Sequence, residues 1–404
     1  MSSPQILLSA LPEKESFQMT CKTFFGLENV LANELQAIGA KEINTARRSV
    51  YFSGDKSVMY KANYCLRTAL NVLVPFCTFY AKDENELYNE VYNIAWENYF
   101  TLKHTFAIET TINSDFFKHS QYAALKTKDA IVDYFRAKTG KRPFIDAENP
   151  QILIHLHISD KTCTLSLNSS GEPLFKRGYK VSNGAAPINE ILAAGMLKLS
   201  GWTPKHNLFD PMCGSGTILI EAAMIAENIA PGVFRKQYSF ENWSNFESKI
   251  LEGIAEQEHD NNPKDLPVIT GIDISGQAIH ATNKNLQNSF LNNYIKVENK
   301  DFFECKKPFE KGFIITNPPY GEKFKNNSLS RFYAQIGDKL KNSFTNFETW
   351  IISPDKEALK FIGLHPEKKV KLFNGPLECS FNKYTVYEGS KKQYKNNLQR
   401  PYQY

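Results

Sequence analysis

Between the apolar pair Leu208-Phe209 and the apolar run that opens at Ile218 lies one short segment: Asp210-Pro211-Met212-Cys213-Gly214-Ser215-Gly216-Thr217. An apolar strand that turns through glycines straight into a helix leaves few choices of fold. The reversal needs residues without a Cβ, and the first N–H groups of the helix are left free at the strand's carboxyl end. The surrounding pattern repeats this unit. Strands are expected over 268–272, 295–299, 313–316 and 349–352. Helices are expected over 188–199, 218–229, 277–289 and 329–340. Alternating strands and helices predict an α/β domain built on a doubly wound parallel sheet, with its ligand crevice at the carboxyl ends of the strands.

The residues of that turn limit what the crevice can take. Asp210 stands directly before the glycines, so a pyrophosphate there would face a second negative group. The absence of a lysine excludes the phosphate-cradling G-x-x-x-x-G-K-[ST] loop. The pattern favours a ligand with a cationic centre. Asp273 ends the next expected strand, where an acid can hydrogen-bond a ribose diol. It lies well beyond the roughly twenty residues of the dinucleotide fingerprint, so an insertion over about 231–267 is expected. Asp301 follows the 295–299 strand, in position to meet an adenine amino group. Either acid, taken singly, also suits a helix cap.

The fourth segment is Ile314-Ile315-Thr316-Asn317-Pro318-Pro319-Tyr320-Gly321. Two prolines can neither extend the strand nor start a regular turn, so they stiffen a loop at the sheet's carboxyl edge. Such a loop can offer the Asn317 carboxamide oxygen and the Pro318 carbonyl as two acceptors, with Tyr320 flat against a ring. That arrangement suits an exocyclic amine on a planar base.

In this order the four segments resemble the class I S-adenosylmethionine-dependent methyltransferases. With Arg177-Gly178-Tyr179-Lys180, Ala186-Pro187-Ile188-Asn189-Glu190, Asn317-Pro318-Pro319-Tyr320-Gly321-Glu322 and Asn374-Gly375-Pro376-Leu377-Glu378-Cys379, the chain is similar to the THUMP-domain RNA guanine-N2 methyltransferases. Within these it is nearest to the bacterial branch that makes N2-methylguanosine in 23S ribosomal RNA. The resemblance covers about residues 17–388. It implies a ferredoxin-like segment over 1–60, a THUMP RNA-binding domain over 61–167, a linker over 168–186, a Rossmann-like methyltransferase domain over 187–389 and a basic tail over 390–404. It also implies that Asp210, Gly214 and Gly216 hold the methionine part of S-adenosylmethionine, Asp273 its ribose and Asp301 its adenine. Pro211, Cys213, Ser215, Thr217, Ile274, Phe302 and Asn317 complete the implied cofactor set. Asn317, Pro318, Pro319 and Tyr320 are the implied catalytic residues that receive the target base. The best-known family member continues into a second methyltransferase domain, so the activity of that second domain is not expected here. A transfer RNA guanine-N2 methyltransferase, a DNA adenine methyltransferase and a catalytically silent RNA-binding protein are the rival readings.

The N-terminal region reads as α+β. Strands are expected over 17–23, 50–52, 106–112, 151–159 and 163–167, and helices over 27–38, 57–73, 87–96 and 122–139. No glycine-rich phosphate loop follows any of these strands. His155 and His157 share a strand face at a spacing that can serve a metal, yet no further ligand supports one, and no metal is expected. Phe116, Phe117 and His119 could stack on RNA or pack in the core. Arg177, Tyr179 and Lys180 could contact RNA or cofactor. Asn168 and Asn242 begin glycosylation sequons, which carry no weight in a cytosolic chain.

Charge adds a direction. The chain of 404 residues carries +5, but unevenly. Residues 1–165 hold 18 basic and 18 acidic side chains, whereas 296–404 hold 20 basic and 12 acidic. The surplus includes Lys306, Lys307, Lys323, Lys325, Lys368, Lys369 and Lys371, and could attract a polyanion. At 42% hydrophobic and 23% charged, the composition excludes collagen-like, mucin-like and largely disordered chains. No apolar run reaches the ~18 residues of a membrane span. Glu13, Lys14 and Glu15 interrupt the N-terminus, so no signal peptide is expected. The seven scattered cysteines form no C-x-x-C pair, which predicts reduced thiols and a cytoplasmic setting.

Overall fold

The structure, a computed structural model, describes residues 16–181, 188–259, 266–321 and 328–386. The expected basic tail over 390–404, Glu13 to Glu15, Ala186-Pro187, Glu322, Lys323 and Lys325 lie outside the described residues. The described residues divide into two compact units, the first comprising 16–23, 31–176 and 235–257, the second 24–30, 177–181, 188–234, 258–259, 266–321 and 328–386.

The first unit is built on one eight-stranded mixed sheet. Its strands in chain order are β1 (Phe17–Lys22), β2 (Lys41–Ala46), β3 (Ser49–Gly54), β4 (Asn71–Tyr80), β5 (Thr105–Asn113), β6 (Phe144–Ile145), β7 (Ile152–Ser159) and β8 (Thr162–Asn168). They lie in the order β2-β3-β1-β4-β8-β7-β5-β6. Strand β4 joins the two halves by pairing antiparallel with both β1 and β8. The helix expected over 57–73 is corrected here. It runs only over Lys56–Cys65 and ends where Leu66 turns extended. Its last expected residues, Val72 and Leu73, enter β4 instead. Pro75 sits where the β4–β8 register shifts, and bulges tolerate proline.

The insertion expected over 231–267 contributes 235–257 to this first unit. Arg235 donates to the backbone carbonyls of Ser170, Glu172, Pro173 and Lys176. Phe240 stacks on Tyr60 with ring centroids 4.3 Å apart, and Lys56 pairs with Glu247.

The second unit carries a seven-stranded sheet. Its strands are β9 (Leu208–Asp210), β10 (Ile269–Asp273), β11 (Ile295–Asn299), β12 (Gly312–Thr316), β13 (Phe347–Ser353), β14 (Lys368–Asn374) and β15 (Leu377–Thr385), in the order β11-β10-β9-β12-β13-β15-β14. Strands β9 to β13 are parallel to one another, and β15 is inserted antiparallel between β13 and β14. The chain winds from β9 outward to β11, then returns to the other side of β9 with β12. The order therefore reverses between β9 and β12, and in open α/β sheets such a point opens a crevice at the strands' carboxyl ends. The β14–β15 hairpin was not anticipated: Lys368-Lys369-Val370-Lys371 shows no alternation of apolar and polar residues. A cluster of Phe209, Phe302, Tyr333, Ile336, Leu340 and Phe344 packs one side of the sheet and seats the helix Ser328–Ser343.

Candidate active site

The crevice holds a cavity of about 530 Å³, a size that suits a small ligand. It is built from the ends of four strands. The loop after β9 contributes Asp210, Pro211, Met212, Cys213, Gly214, Ser215 and Thr217. The end of β10 contributes Asp273 and Ile274, the turn after β11 Asp301 and Phe302, and the loop after β12 Asn317, Pro318, Pro319 and Tyr320. Residues dispersed over more than a hundred positions thus meet around one space. Of the cofactor and catalytic residues named from the sequence, Gly216 alone does not line it.

The glycine loop is locked from behind. Gly216 starts the helix Thr217–Ala226 in the left-handed region, at φ 80°. A Cβ there would lie 2.6 Å from Thr282 Cγ2, so this glycine permits close packing of a helix. Thr282 donates its hydroxyl to the Gly214 carbonyl at 2.7 Å. The buried Asn285 donates to the Ser215 carbonyl and accepts from the Val181 N–H, both at 3.0 Å. Both side chains project from the helix Gly276–Asn288, one turn apart, at the spacing that places them on one face. Gly214 is different. It has φ 58° and open space where a Cβ would stand, so its backbone faces the cavity.

Three carboxylates line this space, and among its described lining residues there is no Lys, Arg or His. Asp210 is almost wholly buried, and burial pushes its carboxyl up to about 7, against the lowering effect of the Met212 N–H that it accepts at 3.2 Å. The neighbouring Asp273 charge raises it further. Asp273 accepts from the Gly214 N–H at 2.9 Å and from the Ser275 N–H at 2.8 Å, which fixes the carboxylate at the loop. Asp301 accepts from the Phe303 N–H at 2.8 Å. Both acids therefore cap backbone and also face the cavity. Cys213 is buried there, and burial holds its thiol far above the usual range. This donor set fits a ligand with a cationic centre, a hydroxyl pair and a flat apolar ring. It does not fit a phosphate ester.

Several lining residues were not legible in the sequence: Ile188, Ile218, Ser275, Gln277, Ala278, Phe303 and Phe332. Ser275 to Ala278 could have been found, as the first helical turn after the Asp273 strand. Phe332 could not, because it arrives from a helix that follows β12 and only packing brings it in. Arg177 and Tyr179 do not meet an RNA or cofactor surface. Both are buried, and both bond the Glu221 carboxylate, at 3.4 Å and 3.1 Å. Lys180 reaches the Ile188 carbonyl at 3.1 Å and pairs with Glu190. In the first unit, Phe117 is buried while Phe116 is exposed beneath the Lys161 ammonium. His155 is buried, and burial lowers its imidazole to about 3. Among the described residues no group of three or more His, Cys, Asp or Glu could hold a metal ion. No described helix is long and apolar enough to cross a membrane.

With this geometry in view, comparison with known proteins is specific. Residues 177–383 match the family model of the RMKL-like methyltransferase domain, which is half of the chain. The chain belongs to this RMKL-like methyltransferase family. The seven-stranded sheet and its cavity are accordingly the family's methyltransferase domain. Residues 81–168 match the THUMP domain and 18–73 the RlmL ferredoxin-like domain. The chain is 35% identical, over 93% of its length and 100% of the relative's, to a Synechocystis protein provisionally named RNA methyltransferase slr0064. It is 34% identical to the ribosomal RNA large subunit methyltransferase K/L of Cellvibrio japonicus, covering 89% of this chain and 50% of that one. The chain thus spans about half the length of the K/L relatives it matches. The crystal structure of SMU.472, provisionally described as a methyltransferase and complexed with SAH, superposes with a TM-score of 0.82 at 28% identity. It covers 93% of this chain and all of that one.

Proposed function

We propose that this member of the RMKL-like family methylates the N2 amine of a guanine in 23S ribosomal RNA, with S-adenosylmethionine as donor. The observation that carries the reading is the meeting of the carboxylate-glycine loop and the Asn-Pro-Pro-Tyr loop at one cavity without a described cationic lining residue. When bound, S-adenosylmethionine supplies a methyl group already activated on a sulfonium, so the protein's work is binding and alignment. Asp210, at the buried end, takes the cationic methionine portion against the exposed backbone of Gly214. Asp273 takes the ribose diol, and Asp301 the adenine amine, with Ile274 and Phe302 against the ring. Asn317 and the Pro318 carbonyl hold the two hydrogens of the base's exocyclic amine, and Tyr320 stacks on the ring. An amine within a paired helix cannot enter this cavity, so the target base is flipped out or unpaired.

The ribosomal substrate is supported by the K/L relatives, which are named for large-subunit ribosomal RNA, and by the match to a THUMP domain. RNA is therefore the expected partner and the cytoplasm the expected site of action. The purified chain with tritiated S-adenosylmethionine should label ribosomal RNA and yield N2-methylguanosine on nuclease digestion. Label confined to transfer RNA, or to adenine in DNA, would overturn the substrate. Asn317→Ala should slow single-turnover transfer at least a hundredfold (about 3 kcal/mol) and leave SAH affinity within a few-fold. Full transfer by that variant would refute the base site.

A further inference from the structure

The Asn374-Gly375-Pro376-Leu377 segment stands out in the sequence but has no place among the cofactor and base residues. The structure brings it to the site. Strand β15 runs antiparallel to β13, with Ser353 opposite Ser380, so the start of β15 lies at the carboxyl end of the parallel strands. The β14–β15 turn is tight, with Asn374 opposite Leu377 and only Gly375 and Pro376 between. Gly375 has φ 60° and open space around its Cβ direction, so its glycine character serves the turn alone. The turn is held in place. Glu378 pairs with both Lys356 and Lys371, and Phe373 packs edge-on against Phe25 at 5.6 Å.

From this turn the Asn374 side-chain N–H₂ donates to the Tyr320 phenol oxygen at 3.1 Å. Tyr320 belongs to a loop three strands away, is half-buried, and lines the cavity. Burial raises its phenol above the ordinary range, and the Asn374 bond opposes that. A tyrosine ring at the end of two rotatable bonds can swing away from a cavity. A hydrogen bond at its far end removes that freedom. We propose that Asn374 is a positioning residue for methyl transfer: it fixes the ring of Tyr320 at the angle needed to receive the flipped base. Because the phenol oxygen accepts from Asn374, its own proton is free to point elsewhere. The proposal rests on the reading of Tyr320 as the stacking residue, and the test separates the two.

Five full-length variants carry it: Asn374→Ala, Asn374→Asp, Tyr320→Phe, the Asn374→Ala/Tyr320→Phe double variant, and Tyr320→Ala. Each is assayed by single-turnover methylation of an unmodified 23S ribosomal RNA transcript, by calorimetric titration with SAH, and by thermal melting. Asn374→Ala and Tyr320→Phe each lose the same bond, so each should slow transfer roughly three- to tenfold. The double variant should be no slower than either alone. SAH affinity and melting temperature should stay near those of the parent. Asn374→Asp retains the size and can accept the Tyr320 hydroxyl proton in place of donating, so it should keep more of the rate than Asn374→Ala. Losses that multiply in the double variant would overturn the proposal, because Asn374 would then act by another route. So would a full-rate Asn374→Ala beside a slow Tyr320→Phe. Full transfer by Tyr320→Ala would instead overturn the stacking site, and the proposal with it.

Discussion

Asp210 offers a test that depends on one proton. In the ligand-free protein its carboxyl sits near pH 7 rather than near 3.8, chiefly because it is buried. A cationic ligand centre beside it would stabilise the carboxylate and draw the proton off. Binding therefore requires the ionised form, and apparent affinity should follow the ionised fraction of the free protein. That fraction is about 9% at pH 6 and about 91% at pH 8 for a group titrating near 7. S-adenosylmethionine should thus bind about tenfold tighter at pH 8 than at pH 6, with little gain above. At pH 7 binding should release about half a proton. Isothermal titration in buffers of different ionisation enthalpy measures both quantities. Asp210→Asn should bind weakly and lose the pH dependence. The same acid has an opposite effect on folding. Its folded pKa is raised, so ionising it in the native state is unfavourable. The penalty is absent below the unfolded value near 3.8, grows as pH rises and is complete above about 7, where it amounts to about 4 kcal/mol. Ligand-free Asp210→Asn should therefore melt higher than the parent at pH 8 and equally at pH 4. An affinity that does not change between pH 6 and 8, together with an Asn variant of unchanged melting temperature at pH 8, would refute the reasoning.

Three further outcomes are expected. Asp273→Ala removes the acceptor of the Gly214 and Ser275 N–H groups as well as the expected diol ligand, and should weaken SAH binding at least tenfold (about 1.4 kcal/mol) in titration calorimetry. Glu221→Ala deprives buried Arg177 and Tyr179 of their shared carboxylate, and should cost roughly 3–5 kcal/mol of stability in urea unfolding. Asn285→Ala loosens the Ser215 carbonyl and the Val181 N–H together, at about 1–3 kcal/mol. It should weaken SAH binding, and a change confined to RNA affinity would count against its role behind the loop.

Much of the parallel sheet was legible because β9, β10 and β12 are short runs, largely apolar, that end in loops with their own chemical signatures. Asp210, Asp273, Asp301 and Asn317 could each be placed at a strand end from local sequence. The 57–73 region was misread because helical and strand periods compete over a short apolar stretch, and the pairing of β4 with β1 and β8 decides it. Strand β14 was missed because its lysines hide any alternation. Arg177 and Tyr179 carry the same residue types as an RNA contact, and only burial against Glu221 tells the two apart.

What the sequence by itself determined was the order of elements, the acidic and proline-stiffened loops, and the family those loops resemble. Each depends on near neighbours along the chain. Tertiary structure alone decided that residues 235–257 fold with the first unit, that Gly216 serves packing rather than the cavity, and that Asn374 reaches Tyr320. These are pairings between residues far apart in the chain. Their geometry follows from strand order and packing, which no local pattern encodes.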